Sequence, residues 1–180
     1  MLLYLFEKEA SPPLDAGGQP VERCHDRITF LIAELQRKKA TLIVPTPALA
    51  ELLVHAGDAA PQWLTTLKTA KHIKIASFDA IAAVEAAQMA KQRASRTAAT
   101  GAIKQKAKFD EQIVAIAIVE QADEILSDDG HVARLVGDRM TVRGITDLPL
   151  PPEDRQIAID FSVGERGRRA LNLEVDEQDQ

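Results

Sequence analysis

Three of the residues best suited to chemistry fall in one stretch, Lys108 to His131, which reads KFDEQIVAIAIVEQADEILSDDGH. Asp110 precedes Ile113, Val114, Ile116 and Ala117, whose spacing is that of the apolar face of a helix. Asp128 and Asp129 follow Glu124–Leu126, a short run expected as a buried strand, and precede Gly130. A fourth acid, Glu51, lies in the second turn of a helix expected to begin at Thr46. In open α/β sheets ligands bind beyond the carboxyl ends of the strands. Glu51 and Asp129 each follow a strand into that edge, so the acids are candidates for one site. All-oxygen ligands suit a hard cation, Mg²⁺ or Mn²⁺, and there is no Cys/His cluster of the kind that binds zinc. Clustered carboxylates repel one another unless a cation lies between them. A cation held there can polarise a phosphoryl oxygen and activate a water, which is phosphodiester hydrolysis without a protein nucleophile.

Each residue also has a plainer role open to it. Asp110 can be a helix N-cap, with Phe109 and Val114 as a hydrophobic staple. Asp128-Asp129-Gly130 is good turn chemistry. Ser127 either orients one of the carboxylates or caps the loop. Glu51 can be an ordinary solvated helix residue, and His55 an ordinary surface histidine.

A basic segment accompanies the acids. No acidic residue lies between Glu85 and Asp110, whereas Lys91, Arg93, Arg96, Lys104, Lys106 and Lys108 all fall there. In a chain of net charge −5 this asymmetry fits contacts to the phosphates of a polyanion such as RNA, as well as a solvated helix face. Aromatic residues make up only 4% of the chain, too few for base stacking as the main mode of binding. A Gly-rich phosphate loop, a Ser-His-Asp order and a nucleophile elbow are missing from the sequence.

The elements that must position these residues alternate. Helical spacing runs over 21–39, 46–57, 61–70, 78–91, 110–121 and 131–136. Short β-branched or apolar runs at 41–44, 73–76, 124–126 and 140–142 read as strands, and Met1–Glu9 as a strand or the first turns of a helix. Residues 10–20, with three prolines and two glycines, form a loop, and Thr97–Gly101 interrupts the helical pattern. Strands alternating with helices imply a parallel sheet covered on both faces. The 180 residues fit one domain, and the 46% hydrophobic content fits a core built mainly from Ala, Leu, Ile and Val. One cysteine, Cys24, excludes an intramolecular disulfide and reads as a small buried hydrophobe. Without a membrane-length apolar run or a recognisable signal peptide, the expectation is a soluble cytoplasmic protein.

Three segments, in order, resemble the PIN domain family. PTPALAELL, with Glu51, is similar to the family's helix bearing a conserved glutamate; KFDEQIVAIA, with Asp110, to its third acidic motif; and ILSDDGHVARL to its fourth, a Ser/Thr-x-Asp after a strand. That last match makes Asp129 the motif acid, with Asp128 beside it and Ser127 in support. The resemblance covers roughly residues 1–147 and leaves 148–180 as an extension ending in an acidic, partly disordered tail. It implies a three-layer α/β/α sandwich with a central parallel sheet. It implies Mg²⁺- or Mn²⁺-dependent RNA cleavage with Glu51, Asp110 and Asp129 as metal ligands, often as the toxin half of a toxin–antitoxin pair. RNA, an antitoxin protein and a second copy of the chain are the partners that follow. Family members open with a strand ending in an aspartate, followed by a helix reading like LLYLFE. Here the chain opens at that helix, so the strand and its aspartate would lie before Met1, and Asp15 in the Pro/Gly loop is no equivalent. The missing acid keeps a second expectation open, a non-catalytic PIN-like module that binds RNA or protein.

Overall fold

The computed structural model describes residues 1–94 and 101–152, leaving aside the side chains of 93, 94 and 101–106. The fold is mixed α/β. In chain order it comprises α1 (Leu3–Phe6), α2 (Cys24–Arg37), β1 (Leu42–Pro45), α3 (Thr46–Ala56), α4 (Ala60–Thr69), β2 (Ile73–Ala76), α5 (Ala80–Ala94), α6 (Gly101–Val119), β3 (Glu124–Leu126), α7 (Gly130–Val136) and β4 (Thr141–Arg143), with three short 3₁₀ turns between. None of the described helices is long and apolar enough to cross a membrane.

The strands are parallel, as the alternation of elements implies, and among the described residues they pair two by two. β1 pairs with β2, Leu42 opposite Ile73 and Pro45 opposite Ala76. β3 pairs with β4, Glu124 opposite Thr141 and Leu126 opposite Arg143. Among the described residues no ladder joins the pairs, so the described strands form two two-stranded sheets. The physical reason is that no described strand lies between β1 and β3 to accept their hydrogen bonds.

Alternate strand residues enter different cores, as the pleat requires. Ile43 of β1, Ile125 of β3 and Val142 of β4 pack with Ala82, Met89, Val114 and Ile116 of α5 and α6. On the other side, Leu42 and Val44 join Leu49, Leu52, Trp63 and Leu67 of α3 and α4. Leu126 instead packs with α1, α2, Ile145 and Leu148. Leu2 belongs to both of the latter clusters, so the start of the chain spans the two strand pairs. The Phe6 ring stacks on Trp63, centroids 4.6 Å apart, and anchors α1 to α4. Cys24 is buried, and its burial pushes the thiol pKa up, as for a small core hydrophobe.

Several boundaries differ from the sequence reading for local reasons. Pro45, outside the expected strand at 41–44, is the last residue of β1 and pairs with Ala76, on a strand whose other edge has no ladder among the described residues. Thr46 is the first residue of α3, and its hydroxyl accepts the Phe78 amide at 3.2 Å and ties the end of β2 to the start of α3. Asp79 accepts the Ala82 amide at 2.9 Å and so delays the start of α5 to Ala80. Leu148, 1% exposed, still belongs to the core, and Arg27 donates to its carbonyl. The acidic tail at 153–180 and the interruption expected at Thr97–Gly101 lie, apart from Gly101, outside the described residues.

Leu67 has no exposed surface and sits at the centre of the α3/α4 cluster. Leu67→Ala is expected to lower the unfolding free energy by about 2–5 kcal/mol, through lost burial and the cavity left behind. A urea titration would read this as a lower midpoint at unchanged slope.

Candidate functional site

Asp110 is not a helix cap. Helix α6 begins nine residues earlier, at Gly101, and Asp110 lies in its interior. The reason is helix propensity: residues 102–108, AIKQKAK, are Ala, Ile, Gln and Lys, with no glycine or proline to break the helix. Phe109 is 42% exposed, so the staple expected with Val114 does not form. The Asp110 carboxyl is instead buried, at 7% exposure, on the side of α6 that meets α7.

Burying a carboxylate is costly unless it is hydrogen-bonded. Here the partner is His131, at the first turn of α7, whose Nδ1 lies 2.7 Å from Asp110 Oδ2. An ionised carboxylate only accepts, so Nδ1 carries the hydrogen and donates. His131 is also held through its backbone. Its amide donates to Asp129 Oδ1 at 2.8 Å, which makes Asp129 the N-cap of α7. The Asp129 amide in turn donates to Ser127 Oγ at 3.1 Å. Ser127 therefore caps the loop and does not bond a carboxylate. Two of the acids singled out from sequence, Asp110 and Asp129, thus meet through one residue that was not.

The other two acids stand apart. Asp128 takes the Ile145 amide at 2.7 Å and fastens the end of β3 to the turn after β4. Gly144 permits this approach: a Cβ there would lie 3.1 Å from Asp128 Oδ1. The start of the chain lies on the same side, where burial lowers the pKa of the Met1 amino group and the Asp128 charge opposes the shift. Glu51 is exposed on α3. A cavity of about 310 Å³ lies beyond β3 and β4, lined by residues that include Asp15, Ser127, Asp128 and Asp129 but neither Asp110 nor His131. Asp15, set aside in the sequence, does reach this cavity, yet its Oδ1 accepts the amides of Gly17 and Gln19 and closes its own loop.

Comparison with protein-family models, curated proteins and solved structures returns no match.

Among the described residues no three of His, Cys, Asp and Glu come together as a group able to hold a metal, so the expected set of Glu51, Asp110 and Asp129 is not assembled. Asp110 and Asp129 are both hard oxygen donors, the type that Mg²⁺ and Mn²⁺ take. Such ions commonly take one or two carboxylates and complete their shell with water and substrate phosphate. Of the basic residues, Lys91 and Lys108 are exposed on α5 and α6. The side chains of Arg93, Arg96, Lys104 and Lys106 lie outside the described residues.

His131 gave no local signal in the sequence, because its partner is 21 residues away. The one available clue is position: with Asp129 as N-cap, residue 131 falls in the first helical turn, next to the cap.

The cap and the charge of Asp129 can be separated. Asparagine caps helices as well as aspartate does, whereas alanine does not. Asp129→Ala is expected to lose about 1 kcal/mol of stability and Asp129→Asn almost none. Urea unfolding of the two variants checks this.

Proposed function

We propose that this chain is a PIN-type endoribonuclease that hydrolyses RNA phosphodiesters with Mg²⁺ or Mn²⁺. The reading extends to a toxin–antitoxin context, with RNA as substrate and an antitoxin protein and a second copy of the chain as partners. The observation that carries it is the meeting of Asp110 and Asp129 at His131, at the carboxyl end of β3. Asp110 and Asp129, 19 positions apart in the chain and each from a weak sequence motif, are both bonded to His131 and are carboxylate donors of the type that phosphate-directed cations use.

In this reading Asp110 and Asp129 offer oxygens to the cation, and Glu51 approaches from α3 as a third acid when substrate is bound. The bound ion supplies a polarised phosphoryl oxygen and a more acidic water. Asp128 keeps the β3 end in place. Lys91 and Lys108 contact the RNA backbone beside the site. A fifth parallel strand between β1 and β3, ending in an acid, would join the two sheets into the single central sheet of an α/β/α sandwich and complete the acidic set.

A second reading, a non-catalytic PIN-like module that binds RNA or protein, is favoured by the lack of a three-donor group among the described residues.

The two readings separate on single-stranded RNA with added Mn²⁺. The nuclease reading expects cleavage that stops on chelation. It expects Asp110→Asn to lose more than about 100-fold, beyond the 10–100-fold typical of residues that only support ligands. RNA binding without cleavage, unaffected by Asp110→Asn, would establish the second reading instead. In either case Lys91→Ala and Lys108→Ala are expected to flatten the salt dependence of RNA affinity, by a slope of about 0.7 for each phosphate contact removed.

A further inference from the structure

We infer that His131 is a positioning residue, which fixes the buried carboxylate of Asp110 in the orientation that receives a divalent cation. This rests on the metal-dependent reading above and assigns the residue that prepares the site.

The geometry is specific to one atom. His131 Nδ1 donates to Asp110 Oδ2 at 2.7 Å, and the carboxylate's other oxygen, Oδ1, is the one that we assign to the cation. The ring is set from both ends. Its backbone amide is pinned by Asp129 Oδ1 at 2.8 Å, and Asp129 is itself held by Ser127 Oγ at 3.1 Å. Ser127, Asp129, His131 and Asp110 therefore form one chain of hydrogen bonds running from the end of β3 to the middle of α6. The His131 side chain is 28% exposed and that of Asp110 only 11%, so the imidazole is the more open of the two.

Two alternatives are weaker. As a direct ligand, His131 would have to give up the Nδ1 contact that satisfies Asp110. As a core-filling residue, it would not need a ring nitrogen on a carboxylate. An N–H donor that holds a ligating carboxylate in place, in contrast, is a recurrent partner behind metal ligands, and its loss typically weakens metal affinity or activity 10–100-fold.

The test is Mn²⁺ binding to the full chain, measured by calorimetry without RNA and alongside circular dichroism for folding. The variants are His131→Ala, His131→Asn and Asp110→Asn. Asparagine can place an N–H near the position of Nδ1, so it separates the donor from the ring. The expected result is Mn²⁺ affinity about 10–100-fold weaker in His131→Ala, most of it restored in His131→Asn, and none measurable in Asp110→Asn. Wild-type affinity in a folded His131→Ala, with Asp110→Asn still abolishing binding, overturns the inference and leaves the metal reading standing. An Asn variant as weak as the Ala variant also overturns it, because the donor would then not be what matters. If the wild-type chain binds no Mn²⁺ at all, the metal reading falls and the inference with it.

Discussion

A buried carboxyl group sets the terms for the segment from α6 to β4. Asp110 lies in a helix that also supplies Val114, Ala115 and Ile116 to the core, all at most 1% exposed. One face of α6 must therefore bury both hydrocarbon and a potential charge. Hydrocarbon needs only contact, but the carboxylate needs a donor at a defined place, because a desolvated and unpaired charge would outweigh several buried methyl groups. The His131 imidazole is that donor, and it fixes how α7 lies against α6. The rest of the local arrangement follows from holding that ring still: the Asp129 cap, the Ser127 hydroxyl behind it, and the anchoring of β3 to the turn after β4 by Asp128.

The strand pairs show a second constraint, that of backbone satisfaction. A strand within a sheet uses both edges, whereas among the described residues β1 and β3 each pair along one. Parallel strands are normally buried on both faces, and the apolar residues of these four follow that pattern, with alternate residues shared between different helix clusters. Side-chain burial is thus that of sheet interiors, while the hydrogen bonding is that of sheet edges. Edges of this kind are the places where another strand can add.

How far the sequence discloses this depends on the range of each interaction. Ile73–Ala76 and Glu124–Leu126 are legible as strands because β-branched, apolar residues in short runs declare themselves locally. The helices around Leu31, Leu49, Trp63 and Val132 are legible from spacing. Asp110 misleads because an aspartate before an apolar run is a good local cap signal, and only the helix-favouring residues before it reveal that the helix has already begun. The contact with His131 joins two helices across a strand and leaves no periodic trace. The separation of the strands into two pairs is likewise a matter of partners, which no single stretch of sequence records.

The stacking of Phe6 on Trp63 has a practical consequence. Trp63 is the only tryptophan in the chain and is 9% exposed, in the cluster that receives α1. Its emission therefore comes from a single known position, beneath a four-residue helix that bridges the two strand pairs. Loosening of that short helix would admit water to the indole and shift its fluorescence to the red, before the α5/α6 core had changed. The protein carries, without any added label, an optical probe of how firmly its first element is seated.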